Sequence, residues 1–341
     1  MSDFPPFVPH RLLRNAHHQT VLSPYIPGQL RPYQATQHVV ELDDGDRIVL
    51  HDDCPTMWSP GDRVALLLHG VAGCHGSPYL VRLAGKLNDA GVRTFRMDLR
   101  GCGAGMKLAR QPGHAGRSED ARSALLAVQT ICPASPLTMI GFSMGGNIVL
   151  KLAGEFGNQP PANLDSTVAI APPIDLICCG TNIDRGLNRL YSRRFARMLV
   201  RFVQQRRDFI PALQEIPLSP TPKSIVRFDD RVTAPLSGFR NVRDYYEQCS
   251  AAPLLPRITV PTLVITSRDD PLIPVTMFEQ AVLSTTTRLH ITSHGGHVAF
   301  YGRRGDDPDR WWIDWRILDW IQYLDALSKP DSSFLITDAE R

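Results

Sequence analysis

No run of about 18 consecutive apolar residues occurs in the 341-residue chain, so no membrane-spanning helix is expected. The first residues, Met1 to Phe7, lack a basic region followed by an apolar core, and a standard export signal is not expected either. The seven cysteines (54, 74, 102, 132, 178, 179 and 249) form no CxxC pair and share no metal-ligand spacing with histidines, which points to a reducing, cytoplasmic compartment. Charge of one sign does not dominate: 37 basic against 34 acidic residues leave a net charge of +3, and no nucleic-acid partner is demanded. The glycine-rich stretch Gly70 to Ser77 has no P-loop lysine, and Gly101-Cys102-Gly103-Ala104-Gly105 lacks the GxGxxG spacing, so no nucleotide cofactor is expected. His17 and His18 are adjacent, their side chains diverge, and no third ligand stands near them in sequence; no metal is expected. Internal repeats are also missing.

What is present suits one large α/β domain. A 43% hydrophobic content in a chain of this length can bury a sizeable core. Eight β-type segments are expected at Gln37 to Leu42, Arg47 to Asp52, Arg63 to Leu68, Val92 to Asp98, Pro136 to Gly141, Ser166 to Ala171, Thr262 to Ser267 and Thr287 to Thr292. The first two are joined by Asp43-Asp44-Gly45-Asp46, a hairpin turn. Helix-like stretches at Ser77 to Ala90, Arg117 to Ile131, Asn147 to Glu155 and Val275 to Ser284 separate most of the rest, and this alternation predicts a mostly parallel sheet covered on both faces. The expected organisation is an N-terminal arm (1–36), a core (37–172 and 251–327), a cap inserted at 173–250 and a polar tail (328–341). The cap opens with a basic helical pattern, Leu187 to Phe209, whose Arg193, Arg194, Arg197, Arg201, Arg206 and Arg207 suit a solvated face or a peripheral contact with a membrane surface. The tryptophans of the last helix, Trp311, Trp312, Trp315 and Trp320, read as core packing.

The chemistry concentrates at Gly141-Phe142-Ser143-Met144-Gly145, a GxSxG pentapeptide between an apolar run and a helix-like stretch. A serine at a sharp strand-to-helix turn is lifted clear of the backbone, but its hydroxyl needs a base, an acid and an oxyanion site. Two later strands each end in a loop that can supply one partner. Arg268-Asp269-Asp270-Pro271 follows one, and Ser293-His294-Gly295-Gly296-His297 follows the other. His297 is preferred to His294 as base because two glycines free its loop to turn back toward the serine. Asp270 is preferred to Asp269 as acid because it stands four residues before Pro274, and Asp269 is then left to tie down the turn. The backbone N–H groups of Met144 and of Val71, in the loop beginning His69-Gly70, are the expected oxyanion donors, with His69 bracing that loop.

With Asp98-Leu99-Arg100-Gly101-Cys102-Gly103 and Gly141 to Asn147, the chain resembles the α/β-hydrolase superfamily. It is similar to the YheT, or embryogenesis-associated, branch, whose animal relatives include ABHD-type lipases. The branch-level marks are Arg14-Asn15-Ala16-His17-His18-Gln19-Thr20, Phe228 to Pro235, Gly238-Phe239 through Asp244-Tyr245-Tyr246, and His294 to Val298. The resemblance implies an α/β-hydrolase fold, a triad of Ser143, Asp270 and His297, and hydrolysis of small-molecule esters with medium-chain or lipid-like acyl groups. It also implies, in some relatives, acyl transfer to an alcohol. Cys74 and His75 depart from the branch pattern.

Overall fold

The computed structural model describes residues 4–26 and 32–328; the polar tail from residue 329 on and arm residues 27–31 lie outside them. All eight expected strands form: β1 (Thr36–Glu41), β2 (Arg47–Asp53), β3 (Val64–Leu68), β4 (Arg93–Asp98), β5 (Leu137–Phe142), β6 (Leu164–Ile170), β7 (Thr262–Ser267) and β8 (Thr287–Thr292). They make one sheet in the order β1-β2-β4-β3-β5-β6-β7-β8. From β4 onward through β3, β5, β6, β7 and β8 every pairing is parallel. At the other edge β1 and β2 form the antiparallel hairpin, and β2 also runs antiparallel to β4.

Strand β3, Val-Ala-Leu-Leu-Leu, and strand β5 are buried at every position, as strands covered on both faces must be. Apolar side chains therefore feed two cores. On one face Leu66, Leu68, Met97, Met139 and Val264 pack with α3 (Ser118–Ile131) and α4 (Met144–Phe156). On the other, Leu67, Ile140, Val168 and Ile265 pack with α2 (Pro78–Asp89) and the C-terminal helix Trp312–Ser328. Trp312, Trp315 and Trp320 serve that packing as expected, whereas Trp311 precedes the helix and lines a cavity instead. Trp312 stacks on Phe300 and meets Phe4 and Phe7 from the arm edge-on, so the chain's first described residues are pinned to its last helix.

Between β6 and β7 the chain leaves the sheet. It forms α5 (Leu176–Ile183), the long α6 (Arg189–Arg206), several short turns of helix and the helix Val242–Cys249 before returning. One expectation of local structure needs correction. The helix expected over Val275 to Ser284 is a single turn, Thr276–Glu279; the following Ala281 and Leu283 pack on the core without a helical backbone. The arm holds a short helix α1 (Ala16–Leu22), whose first N–H groups at His17 and His18 are accepted by the Asn15 side chain.

Candidate active site

Strand β5 ends at Phe142 and α4 begins at Met144, leaving Ser143 alone to make the turn. It does so at φ 50° and ψ −119°, a conformation that costs a non-glycine residue about 1–3 kcal/mol. Its flanking glycines are required by close approach. A Cβ on Gly141 would lie 2.2 Å from the Gly145 carbonyl oxygen, and one on Gly145 would lie 2.6 Å from that of Leu68. The turn is pinned by Ser143 N–H donating to Ile170 O at 2.8 Å. Asn147, fully buried one turn into α4, donates to the carbonyls of Ala115 and Cys249 and accepts from Ala251 N–H, tying the elbow to the inserted segment.

Three side chains meet at this turn. His297 Nε2 lies 2.9 Å from Ser143 Oγ, and His297 Nδ1 lies 2.8 Å from Asp270 Oδ2. Since the carboxylate can only accept, Nδ1–H donates to it and Nε2 is left to accept from the serine hydroxyl. Asp270 is fixed in turn by the N–H groups of Leu272 and Ile273, both donating to Oδ1. Asp269 has other work: its Oδ1 accepts from Gly296 N–H and its Oδ2 lies 3.2 Å from His294 Nδ1, so it ties the two loops together. His294 itself is not at the serine.

The oxyanion candidates flank the same hydroxyl. Val71 and Met144 both line the cavity that holds Ser143 and His297, and among the described residues neither N–H is taken by a protein acceptor. Met144 opens α4, where the helix dipole adds partial positive charge. The loop bearing Val71 is braced as expected: His69, fully buried, donates through Nδ1 to Gly70 O and accepts at Nε2 from Leu99 N–H. Burial pushes its imidazole below the usual range, which keeps it neutral for that paired role. Tyr79 adds a brace that the sequence did not reveal, its hydroxyl accepting from Gly70 N–H at 2.9 Å. Cys74 and His75 do not shape the cavities at the serine. His75 instead stacks on His51, and both donate to Asp98 behind the loop.

Sequence reasoning also missed the arm's contribution. Thr20 Oγ1 accepts from His297 N–H at 2.9 Å, and Gln19, fully buried, clamps Tyr301 through both its amide atoms. A Cβ on Gly296 would lie 2.7 Å from Ala16 O, so α1 covers the histidine loop directly. The signal was present in Gln19-Thr20, but only as a motif without a contact.

Two cavities open from Ser143. One, of about 180 Å³, runs beneath the inserted segment among Leu99, Ile148, Leu176, Phe195, Phe202 and Tyr245. The other, of about 760 Å³, runs past the arm between His17, Tyr25, Tyr79, Leu190, Tyr191 and Trp311. Ser143 thus has a cavity on either side.

The family model described as the alpha/beta hydrolase fold matches residues 64–303, and the chain belongs to that family. Within it the chain falls in the YheT branch: it is 32% identical over 335 residues to the Escherichia coli (strain K12) protein named "Putative esterase YheT", covering 94% of this chain and 95% of that one. It is 26% identical over 290 residues to human "Phospholipase ABHD3", covering 83% of this chain and 70% of that one. Among solved structures, the Pyrococcus furiosus esterase Pf2001 superposes with a TM-score of 0.55 at 15% identity, covering 87% of this chain and 97% of that one, a likeness of fold. The protein is accordingly an enzyme, a hydrolase of the carboxylesterase type.

Proposed function

We propose that the enzyme cleaves carboxylic esters through an acyl-enzyme on Ser143, with His297 as base and Asp270 as the acid that orients it. The observation that carries this reading is the unbroken chain of hydrogen bonds, Ser143 to His297 to Asp270, beside the N–H groups of Val71 and Met144, which have no acceptor among the described residues. Ser143 Oγ attacks the ester carbonyl while His297 Nε2 takes its proton, and Asp270 stabilises the resulting imidazolium. The Val71 and Met144 amides hold the oxyanion. As it collapses, the alcohol leaves with the proton from His297, and water activated by the same imidazole then releases the acid. Removing one oxyanion donor typically costs on the order of 10²–10³ in turnover.

The test is labelling by a fluorophosphonate probe together with hydrolysis of p-nitrophenyl esters from acetate to palmitate. Wild type should label and turn over, whereas Ser143→Ala should do neither, with kcat lower by roughly 10⁶. A folded Ser143→Ala protein that keeps wild-type turnover would remove the reading.

A specific observation favours lipid-like esters reached from a surface. At the mouth of the larger cavity Tyr25, Leu187 and Leu190 are 68%, 70% and 64% exposed, beside the exposed Arg194 of α6. Exposed apolar side chains beside an arginine of a helix whose outer face carries further arginines suit peripheral contact with an anionic membrane. Binding to anionic vesicles should weaken with salt, and binding indifferent to salt would count against it. The free state of all seven cysteines suits the cytoplasm. Ethanol in the assay separates hydrolysis from acyl transfer: an ethyl ester in place of the acid would mark a transferase.

A further inference from the structure

Helix α6 carries most of its arginines outward, with Arg193, Arg194, Arg197 and Arg201 exposed, but Arg206 at its last turn points inward and is 3% exposed. It lines the same cavity as Ser143 and His297. Its Nη2 donates to Ala109 O at 2.6 Å and to Gln111 O at 3.3 Å, while its Nε has no partner. Among the described residues no carboxylate forms an ion pair with it. The other cations lining this cavity are matched: Arg100 is bonded to Asp44, Asp46 and Asp120, and Arg117 to Glu119 and Gln111. A buried charge without a counter-ion is costly, and burial already presses the Arg206 guanidinium below its usual range.

The place is also cleared for it. Gly101 sits at φ +71°, and a Cβ there would lie 2.5 Å from Arg206 Cζ. The glycine cluster that fits no nucleotide motif thus has a structural use. The remaining polar groups of the cavity do not compete. Asp120 gives both oxygens to Arg100, Asp229 holds Thr233 and Tyr246, and His114 Nδ1 accepts from Gly116 N–H.

We propose that Arg206 anchors a carboxylate at the far end of the acyl group, so that the enzyme takes half-esters of dicarboxylic acids, with apolar walls for the methylenes and a guanidinium for the terminal charge. The proposal rests on the reading that Ser143 attacks the ester. A guanidinium whose Nη1 makes no hydrogen bond among the described residues, and is not closed off, matches a planar carboxylate, which is small enough to travel with a methylene chain. The reaction stays ordinary hydrolysis: water supplies hydroxyl to the acyl carbon and a proton to the alcohol oxygen, and the product is the dicarboxylic acid.

The experiment compares p-nitrophenyl half-esters of glutarate, adipate, suberate and sebacate with the neutral pentanoate, hexanoate, octanoate and decanoate esters. At one chain length wild type should favour the half-ester over its neutral partner in kcat/KM by at least about tenfold, the order expected of a charge-assisted hydrogen bond. That ratio should collapse in Arg206→Met and be partly restored in Arg206→Lys. A wild type with no such preference at any length, or an unchanged ratio in Arg206→Met, overturns the proposal. Should Arg206→Met fail to fold, the wild-type series and inhibition of hexanoate hydrolysis by the free dicarboxylic acids decide it. Should Ser143 resist the fluorophosphonate and neither ester be cleaved, the hydrolase reading has failed by itself. Calorimetry of free adipate and suberate against Ser143→Ala then judges the anchor: saturable binding that hexanoate does not show upholds it, and none overturns it.

Discussion

The serine turn and the histidine loop stand 2.9 Å apart yet are held in different ways. The turn is fixed by its own neighbours: Gly141 and Gly145 allow backbone to meet backbone, and β5 and α4 meet at Ser143 with no loop between them. The histidine loop leans on distant chain. Thr20 accepts from His297 N–H across 277 positions, Ala16 covers Gly296, and Asp269 reaches over from the end of β7. The strained serine turn is thus encoded in five consecutive residues, whereas His297 is aimed by segments from both ends of the chain.

After the loss of Ser143 itself, the largest expected effect separates the two neighbouring acids of that loop system. Asp270→Asn should lower kcat by about 10⁴, because the imidazole would be held in the wrong tautomer, whereas Asp269→Asn should cost less than about tenfold since an amide oxygen can still accept from Gly296 N–H. Steady-state hydrolysis of one p-nitrophenyl ester measures both, and equal losses would reverse the assignment. Next, Gly145→Ala should break the turn itself. Its Cβ would sit 2.6 Å from Leu68 O, and a loss of about 3–5 kcal/mol in urea unfolding is expected.

A third test asks whether the inserted segment stiffens the site from above. Burial raises the Asp229 carboxyl to about 6 from an unfolded value near 3.8, so the folded state holds the proton more tightly. Its contribution is therefore fully present below pH 3.8 and is lost as pH rises through 6, by about 3 kcal/mol in all. The stability difference between wild type and Asp229→Asn, followed by thermal melts from pH 4 to 7, should shift against wild type by that order. A flat difference would show that Asp229 titrates normally. The smallest effect belongs to the arm: Thr20→Val should lower kcat about tenfold by leaving His297 N–H unpaired, and Thr20→Ser should restore it. If valine and serine behaved alike, the arm would be only a cover.

Much of this was legible in the sequence because it is local. Alternation of short apolar runs with amphipathic stretches marks the strands, and a fully buried run such as Val64–Leu68 reads as strand without tertiary help. The order of Ser143, Asp270 and His297, each after its own strand, pointed to the site. Less was legible where partners lie far apart. The single turn Thr276–Glu279 replaces an expected longer helix, because core packing of Ala281 and Leu283 outweighs helical propensity. The six arginines of the basic pattern looked alike, yet Arg206 turns inward because Gly101 leaves room for it and the Ala109 and Gln111 carbonyls hold it.

The sequence alone determined the sheet, the strained serine turn and the chain order of its candidate partners, since each follows from periodicity, glycine spacing and chain order. Only the tertiary structure decided which carboxylate faces the imidazole, what aims that imidazole, and where a lone buried charge lies along the cavity. Those depend on contacts between segments up to hundreds of residues apart, whose distances no local pattern encodes.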